Sequence, residues 1–252
     1  MKRISTFLLF TLFGLNIFAH DKTYTEIEEL YGQAIVSVNI AKKDGTAYSG
    51  TGFIVNENGI IATAGHVIED ALIINLTFKN GVISKEAKVI AKSAQETVDL
   101  ALLQIPNENL PCVIFGDSDR VKAGQDIAVI GNPRRLQNTI TNGLISQLRL
   151  VAPGIIWQQI SAPISPNSSG SPVFNKEGQV IGIAVSSLKG EENQNLNFAI
   201  PSNYLQDLMR QNHIPFIIED NSAEELSYLD KAKNYILKAW RILKQKSAAL
   251  FD

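Results

Sequence analysis

Ser169 stands in the stretch ISPNSSGSPV, residues 164–173, a run of small residues ahead of an apolar segment of β type. A serine hydroxyl is a poor nucleophile. To react it needs room for a substrate, a base to take its proton, and backbone N–H groups aimed at the oxyanion that develops. Asn167, Ser168, Gly170 and Ser171 can supply the room and the N–H groups. Two upstream words supply the rest: TAGHVIEDA, residues 63–71, holds His66, and VDLALLQI, residues 98–105, holds Asp99. An imidazole can accept the hydroxyl proton, and a carboxylate can fix that imidazole's tautomer and orientation. Each piece also has a plain reading. An Asn-Ser-Ser-Gly run makes a polar turn, a histidine after a strand is commonly structural, and an aspartate ahead of LALL can cap a turn.

For three residues so far apart to converge, the chain between them must fold back on itself repeatedly. It alternates short apolar runs with turn signals, the pattern of an all-β protein. AIVSVNI (34–40), TGFIV (51–55), IIATA (60–64), LIINLTF (72–78), AKVIA (87–91) and LALLQI (100–105) make a first set. NENG at 56–59 and Asn80-Gly81 supply hairpin punctuation. DIAVIG (126–131), TITNGLIS (139–146), IIWQQIS (155–161), QVIGIAVSS (179–187) and LNFAI (196–200) make a second set, with 106–125 crossing between them. The cleft between the two sets is where His66, Asp99 and Ser169 would meet.

At 252 residues, 45% hydrophobic and 19% charged, the chain can bury a sizeable core. A formal charge of −2 gives no electrostatic reason to expect nucleic acid. One cysteine and three scattered histidines lack metal-ligand spacing, so neither metal nor cofactor is expected. Cys112, in PCVIF, reads as a small core residue. The first nineteen residues have a basic start at Lys2-Arg3, an apolar stretch from Ile4 to Phe18 and a small residue, Ala19, before a polar change. These are the marks of an export signal cleaved near Ala19, with an uncleaved anchor as the alternative. One cysteine cannot form an internal bridge, which suits a periplasmic or secreted protein without disulfides.

The words SGTGFIVNENGIIATAGHVI, VDLALLQI, FGDSDRVKAGQDIAVIGNP, the Ser169 run and NLNFAIPSN stand in an order that resembles the protease domain of HtrA (Deg-type) trypsin-like serine proteases. The order His, Asp, Ser is that of chymotrypsin-like barrels. The resemblance implies a fold of two six-stranded antiparallel β-barrels over residues 23–211, with His66 as general base, Asp99 as orienting carboxylate and Ser169 as nucleophile. It places the oxyanion hole in the backbone of Asn167, Ser168 and Ser169, the N–H groups of Asn167 and Ser169 being the donors. It also makes the strand IGIAVSS, with Ile183, Ala184 and Val185, the lining of the specificity pocket. The family's usual word there is Gly-Asn-Ser-Gly-Gly-Pro, whereas this chain has Asn167-Ser168-Ser169-Gly170-Ser171-Pro172. Asparagine must therefore reach the positive φ that glycine adopts freely. The implied activity is peptide-bond hydrolysis of unfolded or misfolded polypeptides through an acyl-enzyme. The rival is a catalytically weak, chaperone-like binder whose oxyanion hole is unformed.

Residues 202–211 read as a short helix and 212–221 as a linker. Ser222 with Glu225 then forms a capping box for an α-helical extension over 222–252. On that helix Leu226, Leu229, Ile236, Trp240 and Leu243 share a face and Lys238, Arg241, Lys244 and Lys246 gather toward the end. It would pack on the barrels, or mediate self-association or contact with a membrane surface. Gly116-Asp117-Ser118 imitates a nucleophile word but is followed by Asp119-Arg120, and reads as a turn. His213 and the pair Arg134-Arg135 read as surface residues.

Overall fold

The computed structural model describes residues 21–85, 87–132, 138–186 and 196–218. The expected export signal, Arg134-Arg135, the end of the expected linker and the expected helix over 222–252 lie outside the described residues.

Seven strands make the first half: β1 (Ile35–Lys42), β2 (Ala47–Asn56), β3 (Ile60–Ala64), β4 (Ala71–Phe78), β5 (Ile83–Ser84), β6 (Lys88–Lys92) and β7 (Leu100–Gln104). They form one antiparallel sheet in the order β5-β4-β1-β2-β3-β7-β6. The second half holds β8 (Asp126–Gly131), β9 (Thr139–Ala152), β10 (Ile155–Ile160), β11 (Pro172–Phe174), β12 (Val180–Ser186) and β13 (Asn197–Pro201). These close into a six-stranded barrel in the order β10-β13-β12-β11-β8-β9. The all-β, two-part fold is thus present. The second part is a closed barrel of six strands, and the first is a seven-stranded sheet whose edges are β5 and β6.

The six strands expected of the first half are all there, and the extra one is two residues long. In the second half β9 runs six residues beyond the expected TITNGLIS, to Ala152. The short β11, directly behind the Ser169 turn, completes the barrel by pairing with both β8 and β12. β3 and β12 carry continuous apolar runs because both of their faces are covered. Ile60 to Ala64 is buried at every position. In the second half, Ile181 and Ala184 face the barrel interior with Val129, Ile145, Ile160 and Val173, while Ile183 and Val185 face a larger core shared with the first half.

Helix α1 (Tyr24–Tyr31) precedes the first strand. Thr23 and Glu26 form its capping box: the Thr23 hydroxyl accepts from the Glu26 N–H, and the Glu26 carboxylate accepts from the Thr23 N–H at 2.7 Å. Ile27 and Tyr31 are its buried side, and Tyr31 stacks on Phe174 of β11 at 5.2 Å between ring centres. Helix α2 (Ser202–Gln211) follows β13. The stretch beyond it, read as a linker, lies against the fold over its described part. The Phe115 N–H donates to Ile217 O at 2.8 Å, Asn56 Nδ2 donates to Pro215 O at 2.7 Å, and Phe216 meets Phe115 edge to face.

Candidate active site

β3 ends at Ala64 and the chain turns through a 3₁₀ helix, Gly65–Ile68, that carries His66. Val67 and Ile68 are buried and pin this turn to the core, each contributing about 1.5–3 kcal/mol. The β3–β7 register pairs Ala64 with Leu100, so the next residue on one strand, Gly65, faces the preceding residue on the other, Asp99. Three hydrogen bonds follow from that register. The Gly65 N–H donates to Asp99 O at 3.0 Å, the His66 N–H donates to Asp99 Oδ1 at 2.7 Å, and His66 Nδ1 bonds Asp99 Oδ2. An ionised carboxylate only accepts, so the ring carries its hydrogen on Nδ1. Nε2 is then left with a lone pair, the state in which it can act as a base. Gly65 has no room for a side chain: a Cβ there would lie 2.6 Å from Asp99 Oδ1. Both His66 and Asp99 keep about a quarter of their side-chain surface exposed, 23% and 25%, so the pair borders solvent.

Two residues that sequence reasoning passed over frame this pair. The Tyr48 ring stands edge-on to the His66 ring at 6.4 Å. Burial, and then the charge of Asp99, raise the Tyr48 phenol above its ordinary value. From the other half, Trp157 Nε1 donates to Thr97 O at 3.0 Å, holding the segment that leads into Asp99. Trp157 packs against Phe198 and lies in the expected strand IIWQQIS. Its N–H, a donor that a buried indole must satisfy, was the available signal.

The Ser169 turn comes from the second half and seats on the first. Ser169 is 1% exposed and Ser168 5%. The Thr51 N–H of β2 donates to Ser169 O at 2.9 Å, and the Thr51 hydroxyl donates to Asn167 O at 2.8 Å. On the barrel side, the Gly170 N–H donates to Ala184 O and the Ala184 N–H to Ser171 O, both at 2.8 Å. Gly170 is required here: at φ +90 its Cβ would lie 2.1 Å from Thr51 O and 2.6 Å from Thr63 Oγ1. Gly50 marks how close the turn comes to the histidine segment, since a Cβ there would lie 2.5 Å from the Val67 side chain and 3.2 Å from Ser169 O. The turn therefore sits beside the residue that follows His66.

Asn167 takes φ +75, the left-handed region that the departure from glycine demanded. That conformation costs a non-glycine residue about 1–2 kcal/mol, and the Thr51 hydrogen bond to its carbonyl, at about 1 kcal/mol, offsets part of it. Of the three residues expected to form the oxyanion hole, Ser168 does not offer its N–H, because it donates to Ser165 O at 3.0 Å and closes the turn. The three residues expected to line a specificity pocket divide by strand alternation. Ala184 points into the barrel, while Ile183 and Val185 point to the opposite face, and all three are buried.

The decoys resolve as turns. Asp117 caps the 3₁₀ turn Ser118–Arg120, and the buried Ser118 hydroxyl accepts from the Asn203 N–H at 3.0 Å. His213 is exposed just past α2 at φ +55.

Such a two-part β fold, with a histidine–aspartate pair on one half and a serine turn from the other, defines the class of the protein. Residues 50–183 match the family described as Trypsin-like peptidase domain. A probable periplasmic serine endoprotease DegP-like from Chlamydia muridarum is 39% identical over 180 residues, covering 69% of this chain and 34% of the relative. One of the same description from Halomonas elongata is 36% identical over 166 residues, covering 64% and 34%. The solved structure of the HtrA-type protease AlgW with tripeptide superposes with a TM-score of 0.67 at 28% identity, covering 75% of this chain and 63% of that one. The chain belongs to the HtrA (DegP-like) family of trypsin-like serine proteases. It spans about a third of the length of these curated relatives.

Proposed function

We propose that the protein is an exported serine endopeptidase that hydrolyses unfolded or misfolded polypeptides through His66, Asp99 and Ser169. The observation that carries this reading is the double hold of Asp99 on His66, through backbone N–H and ring Nδ1, beside a serine turn docked on β2. Ser169 attacks the peptide carbonyl while His66 Nε2 takes its proton and Asp99 stabilises the imidazolium. The N–H groups of Asn167 and Ser169 receive the oxyanion. The protonated His66 then gives its proton to the leaving amine. Water, deprotonated by His66, attacks the resulting ester and releases the acid. Polypeptide is the substrate class this reading takes, supported by the family the chain belongs to and by the structure of the HtrA-type protease AlgW, solved with a tripeptide. Relatives named periplasmic, together with the apolar, basic-flanked first nineteen residues, support export.

The rival reading, a catalytically weak, chaperone-like binder of unfolded polypeptides, rests on Asn167. An asparagine at φ +75 with its carbonyl anchored favours a working oxyanion hole instead. Purified protein is expected to cleave unfolded casein and to be labelled by a fluorophosphonate probe, and Ser169→Ala to lose both. Turnover should fall by about 10⁶. Cleavage or labelling that survives Ser169→Ala refutes the assignment.

A further inference from the structure

Thr51 makes four hydrogen bonds from one fully buried position in β2. Its N–H donates to Ser169 O at 2.9 Å, its hydroxyl donates to Asn167 O at 2.8 Å, that same hydroxyl accepts from the Asn132 N–H at 3.0 Å, and its carbonyl accepts from the Thr63 hydroxyl at 2.7 Å. A hydroxyl has a single hydrogen. With Asn132 occupying a lone pair, that hydrogen goes to Asn167 O.

These contacts clamp the turn in a particular way. The peptide plane joining Asn167 to Ser168 is held at both ends, its carbonyl by the Thr51 hydroxyl and its N–H by Ser165 O. The plane joining Ser169 to Gly170 is likewise held at both ends, its carbonyl by the Thr51 N–H and its N–H by Ala184 O. The plane between them carries the Ser169 N–H, and with both neighbours fixed it has little freedom to turn. Asn167, on the far side of the first clamped plane, is held at φ +75. We propose that Thr51 is a positioning residue of this active site, its hydroxyl aiming the two oxyanion donors by fixing the Asn167 carbonyl. The chain's asparagine in place of glycine is what makes the hydroxyl matter: glycine needs no help to hold positive φ, asparagine does.

The anchor itself is tied to the N-terminal helix. Asn132 Oδ1 accepts from the Asn138 N–H at 2.9 Å, and Asn138 Nδ2 reaches both Gly32 O at 2.7 Å and Glu28 of α1 at 3.2 Å. The Asn132 that donates to Thr51 is thereby linked, through Asn138, to α1.

The proposal rests on the serine-protease reading, and the test separates the two. Thr51→Val keeps shape and burial and removes the hydroxyl; Thr51→Ser keeps the hydroxyl. Turnover of a peptide substrate is measured per active site titrated with a fluorophosphonate, together with inhibition by a peptide boronate, whose tetrahedral oxygen occupies the oxyanion position. Thr51→Val is expected to lower kcat about 10- to 10²-fold, below the 10²–10³ of a wholly lost donor, with KM changed less than about three-fold. The boronate should weaken by the same factor as kcat, and Thr51→Ser should recover most of the loss. Should Thr51→Val not fold, Thr51→Cys, with its weak S–H donor, is expected to fall between wild type and the Asn167 hole left unsupported. Unchanged kcat in Thr51→Val, or an equal loss in Thr51→Ser, overturns the positioning role while leaving the protease reading intact. A wild-type protein that neither labels nor cleaves overturns the protease reading and this role with it.

Discussion

Asp99→Asn isolates what the carboxylate does, because it changes one atom and leaves volume intact. In the native site both oxygens accept: Oδ1 from the His66 backbone N–H at 2.7 Å, and Oδ2 from the ring Nδ1. Asparagine has one oxygen and one NH₂, so it cannot satisfy two donors. With its oxygen toward the backbone N–H, the NH₂ faces Nδ1 and the ring must accept there. The ring proton then moves to Nε2, the nitrogen that should take the Ser169 proton. In the flipped arrangement the NH₂ faces the His66 N–H, two donors opposed, at a cost of about 1–3 kcal/mol. The first arrangement wins, and with it the wrong tautomer. Turnover should fall about 10⁴-fold, or about 5.5 kcal/mol in the barrier. Folding stability should fall by only about 1–3 kcal/mol. The assay is kcat and KM on casein or a peptide, with a thermal melt as control. Activity within about ten-fold of wild type in a folded Asp99→Asn protein would refute the tautomer argument.

Gly170→Ala should destabilise by about 2–5 kcal/mol and lower Tm by roughly 5–15 °C, because the methyl meets Thr51 O at 2.1 Å in a conformation that alanine resists; an unchanged melt would contradict the packing of the turn. Burial alone would raise the Glu28 carboxyl, but hydrogen bonds from Lys79 and Asn138 and the Lys79 charge hold it below its ordinary 4.5. A depressed pKa gives stability that is present above the unfolded value and lost as pH falls through the folded one, so wild type should lose more Tm than Glu28→Gln between about pH 5 and pH 3; parallel curves would show that the Glu28 bonds are not formed. Burial, with the charge of Glu57, pushes the Cys112 thiol up to about 11. Only about one thiol in a thousand is then ionised at pH 8, and iodoacetamide should modify the folded protein far more slowly than the unfolded one; equal rates would mean an open thiol.

Most strands were legible because their apolar runs are bounded by turns, and the three residues of the proposed triad stand out because each lies in a distinctive word. What the sequence hid was long-range. Nothing in IIATA or LALLQ tells which residues pair, yet the pairing of Ala64 with Leu100 is what brings Asp99 to His66. Thr51 looked like one more strand residue, since its importance lies in hydrogen bonds to positions more than eighty residues away. α1 was within reach: Thr23 followed by Glu26 is a capping box, obscured by the proximity of the apolar leader. β11 is three residues long and paired on both sides, so its three residues carry no periodicity to read. The division of Ile183, Ala184 and Val185 between two cores was hidden too, because a continuous apolar run conceals alternation when both faces are covered.

The first sheet ends on β6, Lys-Val-Ile-Ala-Lys, with Lys88 and Lys92 exposed at its two ends. A rim of this kind, in a molecule proposed to handle unstructured polypeptides, would otherwise zip onto any extended client. Ammonium groups at each tip make such annealing unfavourable. At this edge an extended chain meets positive charge before it can add a further strand.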